Sequence, residues 1–283
     1  MSALAKVVLI TGCSSGIGDA TARRLAAGGW TVYATARNVS AIESLAAEGC
    51  QTLALDVTDE ASMVAAVRAV EDAHGAVGAL VSNAAFNVLG AIETVSMETV
   101  RSMFETNVFG AARLAQLVLP AMRAKGAGRI VNVSSMNARV TFPGMGYYCS
   151  TKHALDAIGD ALRYETRTFG IDVVSIQPGF VKTGFGAAAA GRMEDGDGVY
   201  ADFEAATAES ARNYTRAVNF LACSADDVAA TIEKALTADR PRSRYRVARS
   251  ARLFLGARHV LPDAAFDAML RSQFPSPARR DAG

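Results

Sequence analysis

The sequence predicts an α/β fold in a single domain, a doubly wound parallel sheet with helices on both faces. Short and almost continuously apolar segments alternate with amphipathic helical segments over most of the chain, a pattern typical of a parallel sheet that is buried on both faces. No internal repeat and no low-complexity linker divides the 283 residues into separate units. Right-handed crossovers then place the ligand site at the carboxyl ends of the strands.

Apolar runs and turn residues give the order of the elements. The predicted strands are Val7–Thr11, Thr31–Thr35, Thr52–Asp56, Ala79–Ser82, Arg129–Ser134, Asp172–Gln177 and Ser243–Ala248. The predicted helices are Ile17–Ala27, Val39–Glu48, Glu60–His74, Met97–Lys125, Thr151–Phe169 and Ala225–Thr237. Gly28 and Gly29 are the predicted stop of the first helix, and Thr58 is the predicted N-cap of the third.

Two later segments depart from the alternation. Residues 184–225 are rich in glycine, alanine and small polar residues and follow the sixth strand, where ligands bind in such sheets. We therefore predict a mobile substrate lid there, with an ordinary pair of surface helices as the alternative. A C-terminal extension from about residue 249 is dense in arginine. Ala251–Val260 has an amphipathic pattern that suits a membrane surface, but we favour a terminal helix packed on the core.

The composition excludes several classes of protein. A net charge of +1 gives no general attraction to nucleic acid or to a membrane. The four cysteines are scattered without a Cys-x-x-Cys pair and the three histidines are isolated, so we predict reduced thiols and no metal site. No apolar run reaches the roughly 18 residues of a membrane span, and the N-terminus leads directly into the first strand without a signal peptide. We expect a cytoplasmic protein without an integral membrane segment.

A glycine-rich loop, Thr11-Gly-Cys-Ser-Ser-Gly-Ile-Gly18, follows the first predicted strand. Glycine allows the tight turn and the close approach of the backbone to a pyrophosphate. The helix that starts near Ile17 offers free N–H groups and the positive end of its dipole to the phosphates. A simple tight turn is the alternative. The loop predicts a dinucleotide site of the Rossmann type, with these contact residues: Gly12, Ser14, Ser15, Gly16, Ile17 and Gly18.

The end of the second strand indicates which dinucleotide binds. Sites that prefer NAD usually carry an acidic residue about 20 residues after the glycines, on the ribose 2′-hydroxyl. This chain has Ala36 and then Arg37 there, and a guanidinium can pair with a 2′-phosphate. We therefore favour NADP(H) over NAD(H), although Arg37 could also be a solvent-facing loop residue. Asp56 and Val57 end the third strand and are predicted to contact the adenine, or alternatively to cap the next helix.

Tyr148 and Lys152 are four residues apart in Tyr-Cys-Ser-Thr-Lys. On a helix this spacing places two side chains on one face. The ordinary pKa of a tyrosine is about 10, and a nearby cation lowers it by favouring the phenolate. The pair therefore suits acid–base chemistry, although the same spacing also occurs by chance on solvated helices.

Together, these features resemble the short-chain dehydrogenases/reductases. The resemblance extends from about Val7 to Thr183, which is most of the chain. It rests on motifs in the family's order: Thr11-Gly-x-x-x-Gly-x-Gly18, Asn83-Ala-Ala85, Asn107, Ser135, Tyr148-x-x-x-Lys152 and Pro178-Gly179. The local text around the glycine loop, Arg37 and Tyr148 is similar to the hydroxysteroid and retinol dehydrogenase branch.

The resemblance implies roles for four catalytic residues. Tyr148 would donate the proton in carbonyl reduction and accept it in alcohol oxidation. Lys152 would hold the nicotinamide ribose and lower the pKa of Tyr148. Ser135, at the family's spacing from the tyrosine, would bind the substrate oxygen, whereas the adjacent Ser134 would shape the strand end. Asn107 would perturb its helix and help a water chain to reach the lysine, with a buried structural asparagine as the alternative.

The resemblance also implies further cofactor contacts and an assembly. They are Asn83, Ala84, Ala85, Pro178, Gly179, Val181 and Thr183, in addition to Tyr148 and Lys152. The family often has glycine at the position of Ala85, so a positive φ there would be unfavourable. A homodimer or homotetramer would form through Met97–Lys125 and Thr151–Phe169.

We therefore expect an NADP(H)-dependent oxidoreductase that interconverts a ketone or aldehyde and an alcohol. Tyr148 and Ser135 suit the developing negative charge on a carbonyl oxygen. The expected substrate is a small lipophilic molecule such as a steroid, a retinoid or another ketone. One alternative is a keto-acyl reductase on carrier-bound substrates, for which the arginines could contact an acidic carrier. The other is a non-catalytic NADP-binding sensor, which the complete set of catalytic residue types disfavours.

Overall fold

Seven parallel strands form one sheet with the first strand near its centre. The computed structural model describes residues 4–193, 198–217 and 220–271, with residues 213–217 as backbone only. The strands are β1 (Val7–Ile10), β2 (Thr31–Ala36), β3 (Gln51–Ala54), β4 (Ala79–Ser82), β5 (Gly128–Val133), β6 (Ile171–Pro178) and β7 (Arg244–Val247). Their order, β3-β2-β1-β4-β5-β6-β7, changes direction between β1 and β4, where such sheets bind ligands. The predicted doubly wound fold is confirmed.

Helices cover both faces of the sheet. They are α1 (Gly16–Ala27), α2 (Glu43–Ala47), α3 (Glu60–His74), α4 (Met97–Phe104), α5 (Gly110–Lys125), α6 (Gly146–Thr166), α7 (Phe185–Ala190), α8 (Ala201–Ala217), α9 (Ala225–Thr237), α10 (Arg249–Val260) and α11 (Asp263–Arg271). Successive residues of a strand face opposite sides. Val8 and Ile10 therefore pack with Leu25 of α1 and Ile232 of α9, whereas Leu9 packs with the α3–α5 layer.

Helix α6 begins at Gly146, five residues before the predicted start at Thr151, and ends at Thr166. Glycine has a low helix propensity, which made the segment look like a loop. Gly146 is a neighbour of Ile92, since a Cβ on Gly146 would lie 2.6 Å from Cδ1 of that side chain. Tyr148 consequently lies in the first turn of the helix that also carries Lys152.

Two other helix predictions are corrected. The N-cap of α3 is Asp59 and not Thr58, because the Asp59 carboxylate accepts hydrogen bonds from the N–H groups of Ala61 and Ser62. Carboxylates are favourable at that position since they also complement the helix dipole. The predicted helix Val39–Glu48 is divided into a 3₁₀ turn, Val39–Ile42, and the short α2.

The predicted helix Met97–Lys125 is interrupted by a π-helical turn, Glu105–Phe109, between α4 and α5. Such turns insert an extra residue into a helix and often occur at functional sites. Asn107 lies within this turn and is buried. Hydrophobic periodicity did not reveal the turn, because an apolar pattern continues on both sides of it.

The segment after β6 contains the helices α7 and α8, and residues 181 and 223 form an isolated parallel bridge. Further along the chain, α10 buries Phe254 and Leu255 in a cluster with Met136 and Phe142, which confirms the predicted packing of the terminal helix on the core. Among the helices of the described residues, none combines the length and the apolar character needed to cross a membrane.

A buried carboxylate joins α6 to the sheet. Asp156 accepts hydrogen bonds from Ser175 at 2.5 Å and from Gln177 at 3.2 Å, both on β6. Its Oδ2 also pairs with Arg139 and with Arg244 of β7, each at 3.2 Å. Buried charges are stable when they are paired and hydrogen-bonded. The cluster therefore fixes α6 relative to β6 and β7.

Replacement of Asp156 with alanine is expected to lower the free energy of unfolding by about 3 kcal/mol, because the arginines and β6 donors lose a buried acceptor. Urea unfolding followed by circular dichroism measures the change. Asp160→Ala is the matched control, because Asp160 lies on the same face of α6 as Asp156. Asp160 pairs with Arg163 and with Arg244 of β7 but is partly exposed. The free energy of unfolding of this variant is therefore expected to fall by about 1 kcal/mol or less. Equal losses in both variants would contradict this account.

Candidate active site

The loops after β1, β2, β4, β5 and β6 leave the sheet at the same edge, the carboxyl ends of the parallel strands, where sheets of this kind bind ligands in a crevice. The loop after β6 lies in contact with the glycine loop. A Cβ placed on Gly16 would lie 3.5 Å from Cγ2 of Thr183. The predicted contacts after β1 and after β6 are therefore neighbours at this edge of the sheet.

The glycine loop is shaped as a cradle. Gly12 and Gly16 have positive φ values of 72° and 62°, which glycine adopts without strain. A Cβ on Gly18 would collide with the carbonyl oxygen of Gly12 and lie 2.6 Å from Nδ2 of Asn83. The N-cap Ser15 makes no side-chain capping bond to α1, so that side chain does not occupy the first N–H groups. This geometry fits the diphosphate of a dinucleotide.

The Asn83-Ala84-Ala85 turn is bonded directly to the glycine loop. Oγ1 of Thr11 accepts the N–H groups of Asn83 and Ala84 at 3.0 and 2.9 Å. Nδ2 of Asn83 donates to the carbonyl oxygens of Thr11 and Gly12 at 2.9 and 3.0 Å. Ala85 does not have a positive φ, so alanine suits this turn as well as the family's glycine. These hydrogen bonds therefore hold the glycine loop against the turn after β4.

The residues predicted to face the adenosine half lie after β2 and β3. Arg37 follows Ala36 at the end of β2 and is exposed, and within the described residues its guanidinium has no ion pair. It is therefore available to an anionic ligand. Oδ1 of Asp56 accepts hydrogen bonds from the N–H and the hydroxyl of Thr58, and Val57 is buried beside it.

Lys152 is a buried cation in contact with the face of Tyr148. Its side chain is only 3% exposed, and Nζ donates to the carbonyl oxygen of Val133 at 3.0 Å. Nζ also lies 5.7 Å from the centroid of the Tyr148 ring. Among the described residues no carboxylate lies within 4 Å of it. Burial lowers the pKa of Lys152 from 10.5 to about 8, because desolvation disfavours the charged form.

The two adjacent tyrosines have different surroundings. The Tyr147 hydroxyl donates to the carbonyl oxygen of Ile92 at 3.2 Å. Tyr148 is buried in a cluster with Val88 and Met103. The geometry therefore favours Tyr148 as the acid–base residue.

Ser135 and Ser134 follow β5. Oγ of Ser135 accepts the N–H of Asn137 at 3.1 Å, and Nδ2 of Asn137 donates to Sγ of Cys149 on α6 at 3.3 Å. The loop that carries Ser135 is thereby joined to the helix that carries Tyr148. Asn137 was not identified from the sequence, since it belongs to none of the motifs. Oγ of Ser134 is buried without a partner among the described residues.

Asn107 bonds to the loop after β4 rather than to the lysine. Its Oδ1 accepts the N–H of Phe86 at 2.9 Å, and its Nδ2 donates to the Phe86 carbonyl at 2.8 Å and to Oγ1 of Thr151 at 3.2 Å. Thr151 is the neighbour of Lys152 on α6. Asn107 therefore connects the π-helical turn, the β4 loop and α6.

The predicted contacts after β6 are held by the C-terminal region. Pro178 ends β6. A Cβ on Gly179 would lie 2.6 Å from the backbone nitrogen of Ala251, and the N–H of Phe180 donates to Oγ of Ser250 at 2.9 Å. Val181 pairs with residue 223 in the isolated bridge. The start of α10 thus sets the path of the chain that leads to Thr183.

Apolar side chains surround Tyr148, and no sequence motif predicted them. The Phe185 ring on α7 lies 5.7 Å from the Tyr148 ring. Phe86 and Met145 pack against the cluster of Tyr148, Val88 and Met103. These residues come from separate segments and meet only in the folded chain. A buried phenol, a desolvated ammonium and an apolar lining suit proton transfer to or from an oxygen of a non-polar molecule.

Comparisons with known proteins agree with this geometry. The family model described as short chain dehydrogenase matches residues 6–193. The "NADPH-dependent 3-dehydrocapnine reductase" of Ornithobacterium rhinotracheale is 32% identical over 277 residues, covering 93% of this chain and 95% of that protein. The "Retinol dehydrogenase 16" of Rattus norvegicus is 32% identical over 296 residues, covering 97% of this chain and 90% of that protein.

A solved structure extends the likeness to three dimensions. A short-chain dehydrogenase from Streptomyces avermitilis aligns with a TM-score of 0.81 and 34% identity, covering 96% of this chain and 97% of that chain. The similarity therefore includes the crevice and also the region after Thr183, which lies largely beyond the family model.

Proposed function

Because the chain belongs to the short-chain dehydrogenase family, whose members are oxidoreductases of CH–OH and C=O groups, we propose that it uses NADP(H) on a small lipophilic ketone, aldehyde or alcohol. The observation that carries the proposal is the buried Tyr148–Lys152 pair, in a chain whose glycine loop has no room for a Cβ at Gly12 or Gly18. The pair supplies an acid–base group, and the cradle fits a dinucleotide diphosphate.

The proposed mechanism assigns one task to each residue. The nicotinamide, when bound, supplies or accepts the hydride. Tyr148 gives its phenolic proton to the carbonyl oxygen during reduction and removes the hydroxyl proton during oxidation. Ser135 donates a hydrogen bond to the same oxygen and stabilises its negative charge. Lys152 stabilises the phenolate by its positive charge and would bind the ribose hydroxyls, while Asn107 holds the β4 loop next to α6.

The remaining contacts would hold the cofactor. Residues of the cradle, Gly12 to Gly18, would bind the diphosphate, and Asn83, Ala84 and Ala85 would border the adenosine ribose. Thr183 would contact the carboxamide, next to Pro178, Gly179 and Val181. Asp56 and Val57 would border the adenine. These assignments are supported by the position of the loops at one edge of the sheet.

The preference for NADP(H) depends on Arg37, whose guanidinium is exposed at the end of β2. A relative that covers nearly the whole chain is named as NADPH-dependent. The double variant Ala36→Asp with Arg37→Leu is expected to lower the NADPH/NADH ratio of kcat/KM by about 10²-fold, because it removes an Arg–phosphate contact and adds a repelling carboxylate. Arg246→Leu, an exposed arginine on β7, is the control. An unchanged ratio in the double variant would assign the 2′-phosphate to another residue.

The lipophilic substrate class rests on the apolar surroundings of Tyr148 and on the relative named as a retinol dehydrogenase. The test is a panel of ketones and alcohols, including steroid and short aliphatic members, assayed by NADPH absorbance. We expect kcat/KM to increase with the apolar area of the substrate, by the general gain of about 25 cal/mol per Å² of buried apolar surface. A preference for short polar substrates would contradict the proposal.

Assembly and location form the last part of the proposal. Phe109, Tyr164 and Phe169 expose large hydrophobic side chains on and next to α5 and α6, which supports a homodimer or homotetramer through these helices. The four cysteines are free and buried, as suits a reducing cytoplasmic environment.

A further inference from the structure

Glu204 is a buried carboxylate on α8, outside the catalytic residues. It is only 2% exposed. Its Oε1 accepts hydrogen bonds from the N–H of Ala91 at 3.1 Å and from the hydroxyl of Thr94. Its Oε2 is buried without a partner among the described residues, and no lysine or arginine of that part of the chain pairs with it. Burial of a carboxylate without a cation is unfavourable. The hydrogen bonds from the loop offset part of that cost only while α8 lies against the loop, and so they stabilise this position of α8.

The loop that Glu204 binds, residues 90–95, adjoins the start of the catalytic helix. The N–H of Gly90 donates to the carbonyl oxygen of Gly144 at 3.0 Å. The carbonyl oxygen of Ile92 accepts the hydroxyl of Tyr147, one residue before the catalytic tyrosine. A second bond reaches this loop from the residue just before α8, because the Tyr200 hydroxyl donates to Oε2 of Glu93 at 2.8 Å. Glu204 therefore attaches α8 to a loop that is itself attached to α6.

Helix α8 in turn supports α7. Ala208, four residues after Glu204, is buried in one cluster with Ala189 and Ala190 of α7. The first residue of α7 is Phe185, whose ring lies 5.7 Å from the ring of Tyr148. Movement of α8 away from the loop would therefore remove support from the aromatic side chain beside the catalytic phenol.

We propose that Glu204 is a positioning residue that anchors the α7–α8 pair on the catalytic face and so keeps Phe185 as one wall of the substrate site. Glu204 touches neither the reacting atoms nor the cradle, and it acts through Phe185. The proposal rests on the proposed function, because the wall matters only if Tyr148 is the acid–base residue. The anchoring itself can be measured without turnover.

The test compares Glu204→Ala, Glu204→Gln and Glu209→Gln, the last being an exposed carboxylate on the same helix. In Glu204→Ala the N–H of Ala91 and the hydroxyl of Thr94 both lose their acceptor. We expect the KM for the best ketone of the substrate panel to rise about tenfold, the order expected when such hydrogen bonds are lost. The dissociation constant of NADPH and the far-ultraviolet circular dichroism should not change. Glutamine retains a carbonyl acceptor, so Glu204→Gln should keep KM within about threefold of the parent. Glu209→Gln should match the parent.

Limited trypsin digestion reports the anchoring independently of activity. We expect Glu204→Ala to be cleaved after Arg192 and Arg212 several-fold faster than the parent and Glu209→Gln, since local opening exposes the backbone. Parent-like cleavage and KM in Glu204→Ala would overturn the proposal, as would equal defects in Glu204→Ala and Glu204→Gln. Faster cleavage together with an active Tyr148→Phe variant would leave the anchor in place and reject the proposed catalytic role of Tyr148.

Discussion

Phenylalanine in place of Tyr148 is expected to lower kcat by about 10²–10⁴-fold, the usual contribution of a positioned general acid or base. The substitution removes only the phenolic oxygen. The ring would still pack with Val88 and Met103 and lie beside Phe185, so folding and NADPH affinity should be preserved. Steady-state NADPH absorbance gives kcat, and calorimetric titration gives the dissociation constant.

Tyr147→Phe is the matched control for this experiment. It removes the adjacent hydroxyl, whose hydrogen bond goes to the carbonyl oxygen of Ile92. Loss of one neutral hydrogen bond corresponds to about 1 kcal/mol, so kcat should stay within about tenfold of the parent. A Tyr148→Phe variant as active as the parent would remove the proton-transfer role from this residue, and a larger loss in Tyr147→Phe would transfer it to the neighbour.

Methionine in place of Lys152 is expected to abolish most turnover and at the same time to stabilise the folded protein without cofactor. The ammonium is buried without a carboxylate partner in the described part of the chain. A pKa lowered from 10.5 to about 8 corresponds to about 3 kcal/mol of destabilisation at neutral pH. Loss of the hydrogen bond to the Val133 carbonyl offsets part of this, so we expect a net gain of about 1–2 kcal/mol in the free energy of unfolding.

The gain in the free energy of unfolding of Lys152→Met should decrease as the pH rises. Below pH 8 both the folded and the unfolded chain hold the lysine proton, so the full unfavourable effect of the buried charge is present. Between about pH 8 and the unfolded pKa near 10.5, the folded protein loses the proton and the effect fades. Urea unfolding at pH 7 and pH 10 should therefore show a smaller advantage of Lys152→Met at pH 10. Lys234→Met, an exposed lysine on α9, should show no such trend.

The parts of the fold with strong local chemistry could be predicted from the sequence. Buried strands such as β1 and β4 are short apolar runs, and the glycine loop needs residues that accept a positive φ, as Gly12 and Gly16 do. The four-residue spacing of Tyr148 and Lys152 indicates that they share a helix face, although the predicted helix began only at Thr151. These signals are contained within a few neighbouring residues, and for that reason they are readable without a structure.

Features that depend on contacts between distant segments could not be predicted in this way. Gly146, the first residue of α6, approaches Ile92 across more than fifty positions of sequence. The position of Phe185 beside Tyr148 and the attachment of Glu204 to the loop at Ala91 are likewise long-range. A single phenylalanine or glutamate has no motif of its own. Local sequence motifs therefore predict the acid–base and cofactor-binding residues of the candidate site but not the side chains that surround them.

The π-helical turn at Glu105–Phe109 has a consequence for how this region tolerates changes in length. Before the turn, Met103 of α4 packs with Tyr148, and after it Leu114 and Val118 of α5 pack on the sheet. One residue of an α-helix corresponds to a rotation of about 100°, so the additional residue lets both sets of side chains face inward. Deleting one residue here would straighten the helix and turn one set toward solvent. The rotational phase of α4 relative to α5, more than the identity of any one side chain, thus lets one helical segment contact both Tyr148 and the sheet.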